Sequence, residues 1–90
     1  AGPVSVIVTF VFPRPKRMIW KTRMMPRCRH TAKPDIDNLL KSTCDAITAA
    51  GIWRDDSQVS YVIATKWYAS GDELPGVNLV IEELDETTSR

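Results

Sequence analysis

Pro34-Asp35-Ile36-Asp37-Asn38-Leu39-Leu40-Lys41-Ser42-Thr43-Cys44-Asp45-Ala46-Ile47-Thr48-Ala49-Ala50-Gly51 is the stretch from which the rest of the chain can be placed. Pro34 disfavours helical geometry at Lys33, so a helix starts after it. Ile36, Leu39, Leu40, Thr43, Cys44 and Ile47 recur at helical spacing and occupy an arc of about 140°. Asp37, Lys41 and Asp45 are four residues apart and line the border of that arc. Ala46, Ala49 and Ala50 favour helix, and Gly51 is a natural C-terminal stop.

Strands are expected on both sides of this helix. Upstream, Val4, Val6, Val8, Phe10 and Phe12 alternate with Ser5, Ile7, Thr9 and Val11, a β-branched pattern of period two. Pro13 and Pro15 end it, since neither can donate to a ladder. Residues 14–33 show no clean period and read as a long irregular loop, with a short strand conceivable around Met18 to Thr22. Downstream, Ile52 and Trp53 return to the core, and Arg54-Asp55-Asp56-Ser57 is a polar turn. Val59, Tyr61, Ile63, Thr65 and Trp67 form one face of a long strand; Gln58, Ser60, Val62, Ala64, Lys66 and Tyr68 form the other. After a connection over 70–76, Val77, Leu79 and Ile81 alternate in a final strand expected to pair with its predecessor as a hairpin. The polar tail from Glu83 is expected to fray. The order β-loop-α-β-β predicts an α+β domain, one amphipathic helix on a mostly antiparallel sheet.

At 90 residues a single domain spanning 1–90 is expected, with a marginal core that association would help. The chain starts without Met and enters a strand almost at once, which reads as a piece that has lost an N-terminal element. Cys28 and Cys44 are too few for a disulfide scaffold, and reduced thiols in a cytoplasmic protein are expected. No apolar run approaches the ~20 residues of a membrane span.

The net charge of +1 conceals a strong segregation. Residues 1–34 hold eight Lys/Arg and no acid, for +8; residues 35–90 hold four against eleven acids, for −7. Arg14, Lys16, Arg17, Lys21, Arg23, Arg27, Arg29 and Lys33, interleaved with Trp20 and prolines, suit a phosphate-binding surface; a solvated basic loop is the plainer alternative.

The first acids in the chain, Asp35 and Asp37, stand where that stretch ends. Hydrolysis of a phosphodiester needs an activated water and charge relief, which Mg²⁺ supplies through a few carboxylates. Yet Asp35 could simply cap the helix, and Asp37 could simply pair with Lys41 one turn on. Asp55 and Asp56 could be a solvated turn, or could meet the acids at the helix start if the next strand runs back beside the first. His30, the only histidine, could be a general base or a DNA contact, although a histidine in a basic loop is more often neither. Cys28 and His30 are too few for a zinc site, and Cys44 belongs to the helix's apolar arc.

Lys33-Pro34-Asp35-Ile36-Asp37-Asn38-Leu39-Leu40-Lys41, then Asp45-Ala46, then Gly51-Ile52-Trp53-Arg54-Asp55-Asp56-Ser57-Gln58-Val59, resembles the core signature of the RusA family of Holliday-junction resolvases over about 27 ungapped residues. The resemblance implies a homodimeric, Mg²⁺-dependent endodeoxyribonuclease of phage or prophage type, with Mn²⁺ as a possible substitute, that nicks two opposed strands of a four-way DNA junction symmetrically. Carried over by position, it makes Asp35, Asp37 and Asp56 the metal-binding acids. Lys41 matches the family's essential lysine, Asp55 a less critical acid, and Lys66 a basic position on the following strand. The family normally has a further N-terminal segment before the first strand found here. The loop from Arg14 to Ala32 matches no one family pattern, so no sequence preference at the cut follows from it. A non-catalytic basic DNA-binding module and an inactive fragment are the competing readings.

Overall fold

A computed structural model describes residues 2–15 and 25–84. Its elements are β1 (Val4–Phe12), β2 (Cys28–Arg29), α1 (Ile36–Ala49), a single 3-10 turn (Asp56–Gln58), β3 (Val59–Tyr68) and β4 (Gly76–Glu83). They form one helix and one four-stranded sheet of order β2-β3-β1-β4. The fold is α+β with a mixed sheet: β1 and β3 run parallel, while β1–β4 and β2–β3 are antiparallel. The strand considered around Met18 to Thr22 lies outside the described residues.

β1 takes the centre because it is the segment whose alternating valines can be buried most completely. Val6 and Val8 are fully enclosed, and Val4, Phe10, Ile47 and Trp53 close around them. Leu39, Leu40 and Cys44 from α1 complete the layer, as their helical spacing predicts. The helix ends in a Schellman arrangement. Ile52 N–H donates to Ile47 O at 3.3 Å, Gly51 N–H donates to Thr48 O at 3.0 Å, and Gly51 adopts φ +76°. Trp53 is then fixed by its Nε1, which donates to Thr48 Oγ1 at 2.6 Å.

The expected hairpin between the last two strands is not formed. β4 pairs with β1 in the register Val6↔Ile81 and Val8↔Leu79, and β3 lies on the other side of β1. The connection over residues 69–75 therefore passes across the end of β1 rather than turning tightly back, and Ala69 N–H donates to Phe12 O at 2.8 Å along that path. A strand as apolar on both faces as β1 gains most from a neighbour on each edge.

β1, α1 and β3 make a β-α-β unit in which the helix lies antiparallel to both strands. One end of the sheet thus gathers the C-terminal ends of β1 and β3 and the start of α1. The other gathers the strand starts, the helix end and the 3-10 turn.

Candidate active site at the start of the helix

The C-terminal end of a parallel pair, beside a helix N-terminus, is where open α/β sheets commonly hold ligands. Here a crevice of about 360 Å³ opens at that position, lined by Arg29, His30, Asp35, Ile36, Asp37, Ala64, Thr65 and Lys66. A larger crevice of about 670 Å³ lies at the opposite end of the helix, around Thr48, Ile52, Trp53 and Arg54. It brings together no comparable set of acids and bases, and the smaller crevice is the candidate site.

Asp35 occupies the N-cap position of α1 with extended backbone, φ −70° and ψ 148°. Its main-chain carbonyl accepts the first helical bond from Leu39 N–H at 3.1 Å. Its side chain makes no capping bond, and only the exposed Lys33 ammonium approaches it, at 3.9 Å. Asp37 sits in the first turn, where Oδ1 accepts Asn38 N–H at 3.0 Å. Lys41, one turn later on the same strip, is exposed and forms no ion pair with Asp37. The two plainest sequence explanations, a side-chain cap and an Asp37–Lys41 pair, are therefore both absent from this geometry.

The opposite wall is basic and better fixed. Lys66 Nζ donates to the carbonyls of Ala32 and Pro34, each at 2.8 Å. Arg29 lies over the Trp67 ring, 4.4 Å from its centroid. His30 is 8% exposed, between Phe12 at 4.1 Å and Tyr68 at 4.6 Å centroid to centroid, and its backbone N–H donates to Lys66 O at 3.2 Å. Burial first, and the Lys66 charge second, push its imidazole below the ordinary value of 6.5 toward the neutral form. Its Nδ1 is enclosed without a hydrogen-bond partner, a condition that costs about 1–3 kcal/mol in a buried polar group. The sequence leaves His30 open as a general base, a DNA contact or neither, because a lone histidine in an aperiodic loop carries no burial signal.

The basic positions noted in the sequence have diverse surroundings. Arg14 Nε donates to Ala69 O at 2.7 Å, and its guanidinium also reaches Pro26 O. Arg27 forms a forked pair with Glu73, Nε to Oε1 at 3.1 Å and to Oε2 at 3.0 Å. The pair holds Glu73 down at about 2, chiefly through the Arg27 hydrogen bond, and raises Arg27. Lys33 is exposed. Lys16, Arg17, Lys21 and Arg23 lie outside the described residues.

Asp55 and Asp56 are built into the turn before β3. Asp55 caps the 3-10 turn: its carboxylate accepts Ser57 N–H at 3.2 Å, and Gln58 Oε1 accepts Asp55 N–H at 3.2 Å, a reciprocal capping box. The Ser57 amide lowers the Asp55 carboxyl, while hydrogen bonding to the Asp55 carboxylate raises that of Asp56, with Asp45 adding repulsion. Asp45 is two helical turns beyond Asp37, about 12 Å along the axis. One chain thus brings Asp35 and Asp37 together and holds Asp56 at another level of the helix. Among the described residues, no group of three or more His, Cys, Asp or Glu is placed to hold a metal ion. Cys28 and Cys44 are free thiols, and burial raises Cys44. Among the described residues no helix is long and apolar enough to cross a membrane.

A family model described as Endodeoxyribonuclease RusA matches residues 1–82. YqaN of Bacillus subtilis (strain 168), whose description is "uncharacterized protein", is 35% identical over 88 residues, covering 92% of this chain and 59% of its own length. The crossover junction endodeoxyribonuclease rusA of Lactococcus phage r1t is 30% identical over 83 residues, covering 91% of this chain and 56% of its own length. The chain spans less than two thirds of either relative. No solved structure matches.

Proposed function

The chain belongs to the RusA endodeoxyribonuclease family, and on that premise we propose that it carries the cleavage site of a divalent-metal-dependent nuclease that resolves four-way DNA junctions. The observation that carries this reading is the idle carboxylate of Asp35. It occupies a cap position without capping, beside Asp37, in a crevice whose far wall is formed by Arg29, His30 and Lys66.

A metal ion fits the donor set in part. Two exposed carboxylates at a helix start, completed by water and a phosphate oxygen, suit Mg²⁺ or Mn²⁺, which seldom need more protein oxygens than that. When bound, such an ion supplies an activated water and charge relief on the phosphate. Asp35 and Asp37 would hold it. Lys41, one turn along, would place its ammonium near the phosphate and offset charge developing there. The basic residues of the 13–33 loop, with Lys33, would bear on the DNA backbone rather than on bases.

Asp56 does not join Asp35 and Asp37 within one chain. Two-fold association would let the Asp56 of a second copy complete the set. An apolar stretch on the sheet face away from α1 supports association: Ile7, Ile63 and Val80 stand in one row, with Tyr61 beside them, and Tyr61, Ile63 and Val80 are 52%, 42% and 48% exposed. A two-fold pair would also present two sites to a roughly two-fold junction.

The test is cleavage of a synthetic four-way junction, with and without Mg²⁺, beside a linear duplex. Wild-type cleavage in Mg²⁺ that collapses in Asp37→Asn, with junction binding kept, supports the reading. Junction binding without any metal-dependent cleavage would make the chain a binding module. Mixed dimers of Asp37→Asn and Asp56→Asn chains decide where Asp56 acts. A site shared between copies leaves one site intact and gives single-strand nicking, whereas a site within one chain leaves none.

A further inference from the structure

His30 is a buried polar group in the crevice that the proposed chemistry leaves unused. Its ring is clamped between Phe12 and Tyr68, and its main chain is tied to β3 through Lys66 O. The ring position is therefore set by two separate strands, β1 and β3, more firmly than a loop histidine needs. Only Nδ1 is enclosed without a partner. Nε2 is not enclosed, and the space that His30 lines is the crevice shared with Asp35 and Asp37.

A neutral imidazole carries its proton on one nitrogen and a lone pair on the other. The ring's own main-chain carbonyl acts on it as the smallest influence and forms no hydrogen bond with Nδ1; a proton on Nε2 therefore leaves the enclosed nitrogen as the cheaper orphan, an acceptor, and gives the ring a donor at its other nitrogen. No described side chain accepts it: neither Asp35 nor Asp37 is within hydrogen-bond reach, and the charged neighbours Arg29 and Lys66 are themselves donors. The ring does not complete a metal set with the two acids either. An oxygen of an anion bound on the basic side of the crevice, beside Arg29 and Lys66, is an acceptor that such a donor can take.

We infer that His30 is a phosphate contact of this site, its Nε2–H donating to a non-bridging oxygen of the DNA phosphodiester that Asp35 and Asp37 face. The inference rests on the nuclease reading for the identity of the ligand. Phe12 and Tyr68 hold the donor in place before the DNA arrives, so no side-chain freedom is lost on contact.

His30 is the chain's single histidine, so its ring nitrogens can be followed without ambiguity. In a long-range proton–nitrogen spectrum the free protein should show the Nε2–H form. Addition of a four-way junction without divalent ion should shift Nε2. An Nε2 signal that stays fixed while the Arg29 and Lys66 amides move would overturn the contact. In cleavage, His30→Leu keeps an apolar filler between Phe12 and Tyr68 and should lose about tenfold or more in rate. His30→Gln can place an amide N–H near the Nε2 position and should recover most of that loss. Equal rates for wild type and His30→Leu, or equal losses in folded Leu and Gln variants, would overturn it as well. If wild-type protein cleaves nothing, the nuclease reading falls, and the nitrogen spectrum alone decides whether His30 meets phosphate.

Discussion

Lys66 Nζ donates to the Pro34 carbonyl at 2.8 Å, and the same ammonium takes the Ala32 carbonyl at 2.8 Å. A strand thereby grips the two residues that lead into Asp35. In sequence Lys66 looks like another DNA-binding cation; in the fold its charge is already directed at the protein's own backbone. Removing the ammonium leaves two carbonyls to water and frees the approach to the helix. Lys66→Met should therefore cost about 1 kcal/mol in denaturant unfolding, since the site is partly open to solvent. It should also lower junction cleavage more than junction affinity. A loss of affinity with no change in cleavage rate at saturating DNA would make Lys66 a DNA contact instead.

The Arg27–Glu73 fork fastens the β3–β4 connection to the segment before β2. Glu73 is held at about 2, well below its ordinary 4.5. A carboxyl depressed in the folded state stabilises it above the unfolded value, and that contribution fades as pH falls from about 4.5 to about 2. Carbon-detected titration of the Glu73 carboxyl should show the low midpoint, and Arg27→Ala should move it up toward 4.5. Arg27 is exposed and Glu73 partly so, and solvent screening means that the local signal should move far more than global stability does.

The centre of β1 gives a prediction of the opposite kind. Val8 is fully buried opposite Ala64 on β3 and Leu79 on β4. Val8→Ala removes two methyl groups from an inner strand bonded on both edges, where neighbours cannot collapse into the gap. The cost should be about 2–3 kcal/mol, which in a domain this small lowers Tm by roughly 10 °C or more. A shift of only a degree or two would mean that the β1 layer is loosely packed.

These elements differ in how far the sequence reveals them. α1 and β1 are legible because burial imposes a period on them: Leu39, Leu40 and Ile47 face Val6 and Val8 as their spacing says. β4 is legible as a strand but not as a neighbour of β1, since alternation assigns faces and leaves the choice of edge open. The 35–37 acids are recognisable from the residues around them. That Asp35 leaves its carboxylate idle depends on backbone geometry, which no spacing records. His30 is the extreme case: its burial is created by Phe12 and Tyr68, residues from two strands remote in sequence that the parallel β1–β3 pairing sets side by side.

The uncovered sheet face supplies the last prediction. Ile7 lies between Ile63 and Val80 across the three strands, and the helix covers only the other side. If this row faces water, Ile63→Lys is a surface change worth no more than about 0.5 kcal/mol. If two copies meet there, the same change must either bury an ammonium or separate them, and an unpaired buried charge is the costlier choice. The proposed dimer therefore requires that Ile63→Lys turn a dimer into a monomer in sedimentation equilibrium while leaving the far-ultraviolet circular dichroism of the fold unchanged. Cleavage should then fall together with dimer content, because a lone chain holds Asp35 and Asp37 without Asp56. An Ile63→Lys protein that remains dimeric would place the contact on another surface, and a monomeric one that still cleaves at the wild-type rate would show that Asp35 and Asp37 suffice.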